Sequence, residues 1–165
     1  MSAAAAELKT LMLRAPRLTL AVAESLTCGR VQAGIGAVSG ASEYFLGGVT
    51  AYSLDEKVKL LGVDRTIAEK VNSVSAEVAE QMARGAGKLF GADVTAATTG
   101  YAEPSAEWKV AQPFAWIAVA RREGGKFFVR SLRVECPGAT RLVAQERVAE
   151  ATLAALVSLL CEVRG

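Results

Sequence analysis

Leu18-Thr-Leu-Ala-Val-Ala-Glu-Ser-Leu-Thr-Cys-Gly-Arg-Val31, continued by Gln32-Ala-Gly-Ile-Gly-Ala-Val38, is the stretch on which the fold turns. Leu18 to Ala23 is a short run of apolar and β-compatible residues, and Thr27 to Val38 carries Val31, Ile35 and Val38 at helical spacing. The pattern predicts a strand, a tight turn holding Glu24 and Ser25, and a helix. Upstream, Leu8, Leu11 and Met12 mark one face of a helix over residues 3 to 14, ended before Pro16. Downstream, Phe45 to Ser53 reads as a strand, and Ser53-Leu-Asp-Glu offers a capping hydroxyl and first-turn acids for a helix through Leu61, stopped by Gly62. Asp64 and Ser75 are N-caps for a short helix and for a longer one through Phe90, with Val78, Met82, Ala86 and Leu89 on one face.

Asp93 to Thr99 is a third strand, running into a polar loop from Tyr101 to Gln112. Phe114 to Arg121 and Lys126 to Val134 flank Arg122-Glu-Gly-Gly as a β-hairpin, and Thr140 to Val163 forms a last helix with Leu156, Leu159, Leu160 and Val163 on one face. Strands alternating with helices, plus a late hairpin, predict one three-layer α/β/α domain with a mixed sheet over residues 1–165. Such sheets bind ligands at the carboxyl ends of their strands. Three such ends carry candidate segments: Glu24-Ser25, Tyr52, and Thr98-Thr99-Gly100 with the polar loop beyond.

Composition narrows the chemistry. The 165 residues are 52% hydrophobic and 22% charged, which predicts a folded globular chain, and the apolar run Ala151 to Cys161 is too short to span a bilayer. A net charge of +2 without a basic run argues against nucleic acid or a membrane surface as partner, and leaves a small-molecule substrate; self-association stays open. Three scattered cysteines, Cys28, Cys136 and Cys161, and a start without a secretory pattern predict a reducing, cytoplasmic setting. Histidine is absent. That excludes Ser-His-Asp and Cys-His mechanisms and removes the commonest transition-metal ligand; the expectation is a site without a cofactor.

Without histidine, a serine nucleophile needs a buried neutral lysine, a tyrosine relay or a carboxylate to take its proton. Ser25 sits at a strand-to-helix turn, where following N–H groups and the helix dipole can stabilise an oxyanion; it can equally be, with Thr27, an ordinary helix cap. Glu24 reads as a solvated or capping carboxylate. Tyr52 and Lys57 are five apart, so a strand end and the next helix can point both into one cleft. Lys59 competes for the role, but two helical positions differ by roughly 200°, so only one of the two lysines can face the cleft. Cys28 is a second candidate nucleophile, ranked below Ser25 for want of a basic partner.

Ala23-Glu-Ser-Leu-Thr-Cys-Gly29, Gly47-Gly-Val-Thr-Ala-Tyr-Ser53 with Lys57 and Leu61-Gly-Val63, Val74-Ser75 and Thr99-Gly-Tyr-Ala-Glu-Pro104, in that order, resemble the CinA C-terminal-domain family from about Arg17 to Val163, in its stand-alone form. The resemblance implies a nicotinamide-nucleotide amidase, which converts nicotinamide mononucleotide to nicotinate mononucleotide and ammonia. It implies Ser25 as nucleophile, Lys57 as base with Tyr52 as hydrogen-bond partner or relay, and substrate contacts at Glu24, Thr27, Ser75, Thr99, Gly100 and Arg141. It implies no metal.

The chain departs from the family pattern at several points. Cys28 replaces a glycine, Thr99 a serine and Glu103 a glycine; Ser105-Ala106-Glu107 replaces a glycine-rich continuation. The family's Gly-Asp-Arg reads Gly138-Ala139-Thr140 here, with Arg141 one position late. Two added carboxylates and a displaced arginine predict weakened phosphate recognition. They leave two further readings open: a silent paralogue that binds another ligand or a protein, and a Ser/Lys amidohydrolase for a less anionic amide.

Overall fold

The computed structural model describes residues 2–164. Its five-stranded sheet is built from β1 (Leu20–Glu24), β2 (Phe45–Thr50), β3 (Val94–Tyr101), β4 (Phe114–Glu123) and β5 (Lys126–Glu135) in the order β2-β1-β3-β4-β5. β1 runs parallel to both β2 and β3, while β4 and β5 are antiparallel additions, so the sheet is mixed as predicted. The chain leaves β1 through α2 (Arg30–Gly36) to reach β2 on one side, then crosses through α3 (Leu54–Leu61), α4 (Arg65–Lys70) and α5 (Ala76–Phe90) to β3 on the other. The sheet order therefore switches beside β1, and a crevice opens at its carboxyl end, where Ser25 follows Glu24.

The two faces of the sheet differ in side-chain size. Leu20, Val22, Val94 and Val119 pack with residues of α1 (Ala3–Leu13), α2 and α6 (Arg141–Arg164), including Leu8, Met12, Ile35, Leu156 and Leu160. Each such fully buried side chain contributes about 1.5–3 kcal/mol of burial free energy. Ala23, Ala97, Ala118 and Ala120 point the other way, onto Val78, Ala79, Met82, Ala83 and Ala86 of α5. Small residues on both surfaces let α5 lie close, and a Cβ on its Gly85 would collide with the Leu61 carbonyl of α3.

Most predicted elements form, with shifted ends. Ser53, Asp64 and Ser75 cap α3, α4 and α5 through their side chains. The hairpin closes on Gly124-Gly125, both at positive φ, as a two-residue turn demands. β2 ends at Thr50 rather than Ser53, because Ser53 is the N-cap of α3. Leu89 and Val163 are corrections: both are exposed, on the last turns of α5 and α6. Leu89 borders an open groove lined also by Leu60, Gly62, Gln81 and Gly85.

The largest correction concerns α2. It starts at Arg30 rather than Thr27, because Cys28 (φ 48°) and Gly29 (φ 91°) are left-handed and prolong the turn. Left-handed backbone costs a non-glycine residue about 1–2 kcal/mol, part of which a glycine loses again through the freedom of its unfolded chain. Cys28→Gly is accordingly expected to raise stability by up to about 1 kcal/mol, read from the urea midpoint; a lower midpoint would contradict this account of the turn.

Candidate active site

The turn after β1 is shaped by Glu24. Its carboxylate is fully buried and accepts from the amides of Gly29 (3.0 Å), Val31 (3.1 Å) and Gln32 (2.9 Å). It thereby takes the place of a side-chain cap on α2. The helix-start amides expected to face an oxyanion are turned to Glu24 instead, and α2 begins five residues past the serine. The Leu26 amide, next to Ser25, has no acceptor among the described residues and is the donor nearest in sequence to the nucleophile. Glu24→Gln puts an NH2 against one of these amides. It is expected to lower stability by about 2 kcal/mol, checked by urea unfolding, and an unchanged midpoint would contradict the capping role.

Ser25 is 8% exposed, and its amide donates to the Thr98 carbonyl of β3 at 3.0 Å, which fixes the turn against the neighbouring strand. Thr27 is fully buried with its hydroxyl 2.8 Å from that of Thr98. Opposite, Lys57 reaches inward from the first turn of α3 and is only 2% exposed. Its Nζ lies 2.9 Å from Ser25 Oγ and donates to the Tyr52 carbonyl at 2.7 Å. Burial pushes its pKa down from 10.5 to about 8, and no carboxylate pairs with it among the described residues to counter that. Lys59 points into solvent beside Glu56, as the helical rotation requires.

Ser25 and Lys57 line a cavity of about 690 Å³ with Leu26, Tyr52, Thr99, Gly100 and Arg141. Thr99 is nearly buried and donates to the Ser73 carbonyl at 2.6 Å. A Cβ on Gly100 would lie 2.5 Å from the Phe114 carbonyl, so glycine is required where β3 meets β4 at the cavity wall. Tyr52 is half exposed, and its phenol accepts from Arg141 Nη2 at 2.7 Å. No hydrogen bond joins that phenol to Ser25 or Lys57 among the described residues; the residue meets Lys57 through its backbone. Arg141 is the first residue of α6, preceded by the N-cap Thr140, and this terminal position lets it reach the cavity despite its shift in sequence.

Glu24, Thr27 and Ser75 do not line the cavity: the first two are buried beneath the turn, and Ser75 accepts from Val78 N as the cap of α5. Sequence reasoning missed Glu69, Asn72 and Ser73, which do line it, and reached Trp108 only as part of the polar loop. Asn72 and Ser73 adopt consecutive positive φ angles, 49° and 60°, and Asn72 Nδ2 donates to the Tyr101 phenol at 3.1 Å. The signal for them in the sequence is an Asn-Ser pair between two capped helices and a tryptophan inside a polar loop. That loop, itself a candidate from the sequence, supplies Glu103, Pro104, Ser105, Glu107 and Trp108 to the wall.

Comparison with known proteins defines the class. The sequence model of the CinA C-terminal domain matches residues 2–160, and the chain belongs to that family. The match begins ahead of the resemblance read from Arg17 and includes α1. A CinA-like protein of Chlorobium limicola is 48% identical over 94 residues, 57% of this chain and 22% of that protein. One from a Picosynechococcus species is 43% identical over 109 residues, 66% of this chain and 26% of its own length. The chain thus spans about a quarter of the curated relatives it matches. Among solved structures, the competence damage-inducible protein A of Klebsiella pneumoniae superposes with a TM-score of 0.82 at 26% identity, over 96% of this chain and 95% of that one. A competence/damage inducible protein of Agrobacterium tumefaciens, 24% identical with a TM-score of 0.84 over 96% of each chain, shares the fold. No helix among the described residues is long and apolar enough to cross a membrane.

Proposed function

We propose that the protein is a serine amidohydrolase in which Ser25 attacks a carboxamide carbon and Lys57 moves the protons. The family resemblance suggests nicotinamide mononucleotide as the reference substrate, and this chain departs from the family at the phosphate end through Glu103, Glu107 and the displaced Arg141. One observation carries this reading: a buried lysine, its pKa brought down to about 8, lies 2.9 Å from a serine hydroxyl at the edge of a 690 Å³ cavity. A surface lysine near pKa 10.5 is charged and has no lone pair to offer; burial makes the neutral amine accessible near neutral pH. Neutral Lys57 still donates to the Tyr52 carbonyl, which aims its lone pair at Ser25 Oγ.

In the first step the Oγ–C bond forms, the hydroxyl proton passes to Lys57 Nζ, and the carbonyl π pair moves to oxygen. The Leu26 amide, which has no acceptor among the described residues, is the proposed donor to that oxyanion. Collapse breaks the C–N bond, and the nitrogen leaves as ammonia with the proton returned by Lys57. Water then attacks the Ser25 ester, giving its proton to Lys57. The ester C–O bond breaks, Ser25 recovers a proton, and the acid is released. Arg141, Thr99, Gly100 and the loop bearing Glu103 and Trp108 form the walls that orient the substrate.

The test is ammonia release from nicotinamide mononucleotide and a panel of other carboxamides. Release from at least one, abolished by Ser25→Ala, supports the reading. Absence of release from every amide, in a folded protein that still binds one of them, favours the silent paralogue.

A further inference from the structure

Among the described residues the cavity mouth holds one permanent cation, and that cation is already paired. Arg141 Nη1 lies 3.2 Å from Glu103 Oε1, while its Nη2 donates to the Tyr52 phenol. Glu107 and Glu69, the latter paired with Arg65 Nη1 at 3.8 Å, line the same cavity, so three acidic residues share its wall with one guanidinium and the buried Lys57. Aromatic surface lies among them: Tyr52 and Trp108 are 50% and 39% exposed, and Tyr101 joins the wall.

We infer that this site takes a carboxamide with a cationic or neutral aromatic body and no phosphate, and that Glu103 is the residue that sets this preference. The identity of the scissile carboxamide rests on the amidase reading; the charge selection does not. An entering phosphate must draw Arg141 away from Glu103. The exposed pair is itself weakly held, so the opposition comes from what remains: a freed Glu103 carboxylate beside a dianion, with Glu107 and the Arg65-paired Glu69 on the wall. A pyridinium or similar cation meets the opposite situation. It finds carboxylates and ring faces, and it leaves the Glu103–Arg141–Tyr52 chain intact. Nicotinamide mononucleotide and its dephosphorylated riboside share the cationic ring and the carboxamide and differ in the phosphate, which makes them the discriminating pair.

The experiment is calorimetric titration of the Ser25→Ala protein, in which turnover is expected to be too slow to disturb the titration, with the mononucleotide and the riboside, repeated for Ser25→Ala/Glu103→Gln. The riboside is expected to bind at least tenfold more tightly than the mononucleotide, about 1.4 kcal/mol. Glu103→Gln should narrow that ratio at least about fivefold, and raising the salt should narrow it in the parent, since the opposing charges are exposed. Tighter binding of the mononucleotide, a ratio unmoved by Glu103→Gln, or no binding of either ligand would overturn the inference. Ammonia assays on the wild-type chain separate the two claims. A binding preference without ammonia from either ligand removes the amidase reading and leaves the selection; efficient turnover with a large preference for the mononucleotide does the reverse.

Discussion

Ser25→Ala is expected to reduce ammonia release at least about 10³-fold, the scale on which removing a covalent nucleophile acts. The loss should fall on kcat, because the substrate walls are supplied by other residues. Stability should barely change: the hydroxyl contributes one hydrogen bond to Lys57, whereas the Ser25 amide that fixes the turn on Thr98 is unaffected. Cys28 is the control. It is exposed, and its left-handed backbone directs the chain toward Gly29. Cys28→Ala should retain activity, and the reverse result, with Cys28→Ala inactive and Ser25→Ala active, would reassign the nucleophile.

Lys57→Met should have the second largest effect, a loss of about 10³-fold from removal of the general base. It should also change how stability depends on pH. The folded pKa of about 8 lies below the ordinary 10.5, so between these values the unfolded chain binds the extra proton. Wild-type stability therefore rises as pH increases from about 8 toward 10.5, and below pH 8 both states are protonated and the contribution to the slope vanishes. Lys57→Met removes that rise. Urea midpoints of the two proteins between pH 7 and pH 10 decide the matter; parallel curves would mean that Lys57 does not titrate below its ordinary value.

Much of this arrangement is legible in the sequence, because it rests on periodicity and capping. Val31, Ile35 and Val38 point to a buried helix face, the Gly-Gly pair to a hairpin, and the two-residue spacing of Lys57 and Lys59 to a single inward lysine. What escapes such reading are choices made by side chains and backbone against local pattern. Apolar spacing cannot report that Glu24 folds back onto three amides, so the pattern starts α2 at Thr27; the capping role read for Glu24 is the one its hydrogen bonds show, whereas the resemblance puts it against the substrate. Nor does spacing distinguish the two ends of Tyr52: its carbonyl holds the lysine, while its phenol reaches Arg141 at the mouth. The one-residue displacement of Arg141 suggests a side chain rotated by about 100° on a helix, an argument that fails at the first helical residue, where the preceding turn sets the direction. Leu89 and Val163 keep the helical period past the end of their cover.

The central claim is that a neutral Lys57 activates Ser25, and the dependence of kcat/KM on pH for ammonia release tests it most directly. Since kcat/KM reports ionisations of the free protein, the account predicts a rise with a single ionisation at about 8, reaching a plateau above it. A profile flat from about pH 6 to pH 10, or one that falls through pH 8, would contradict it.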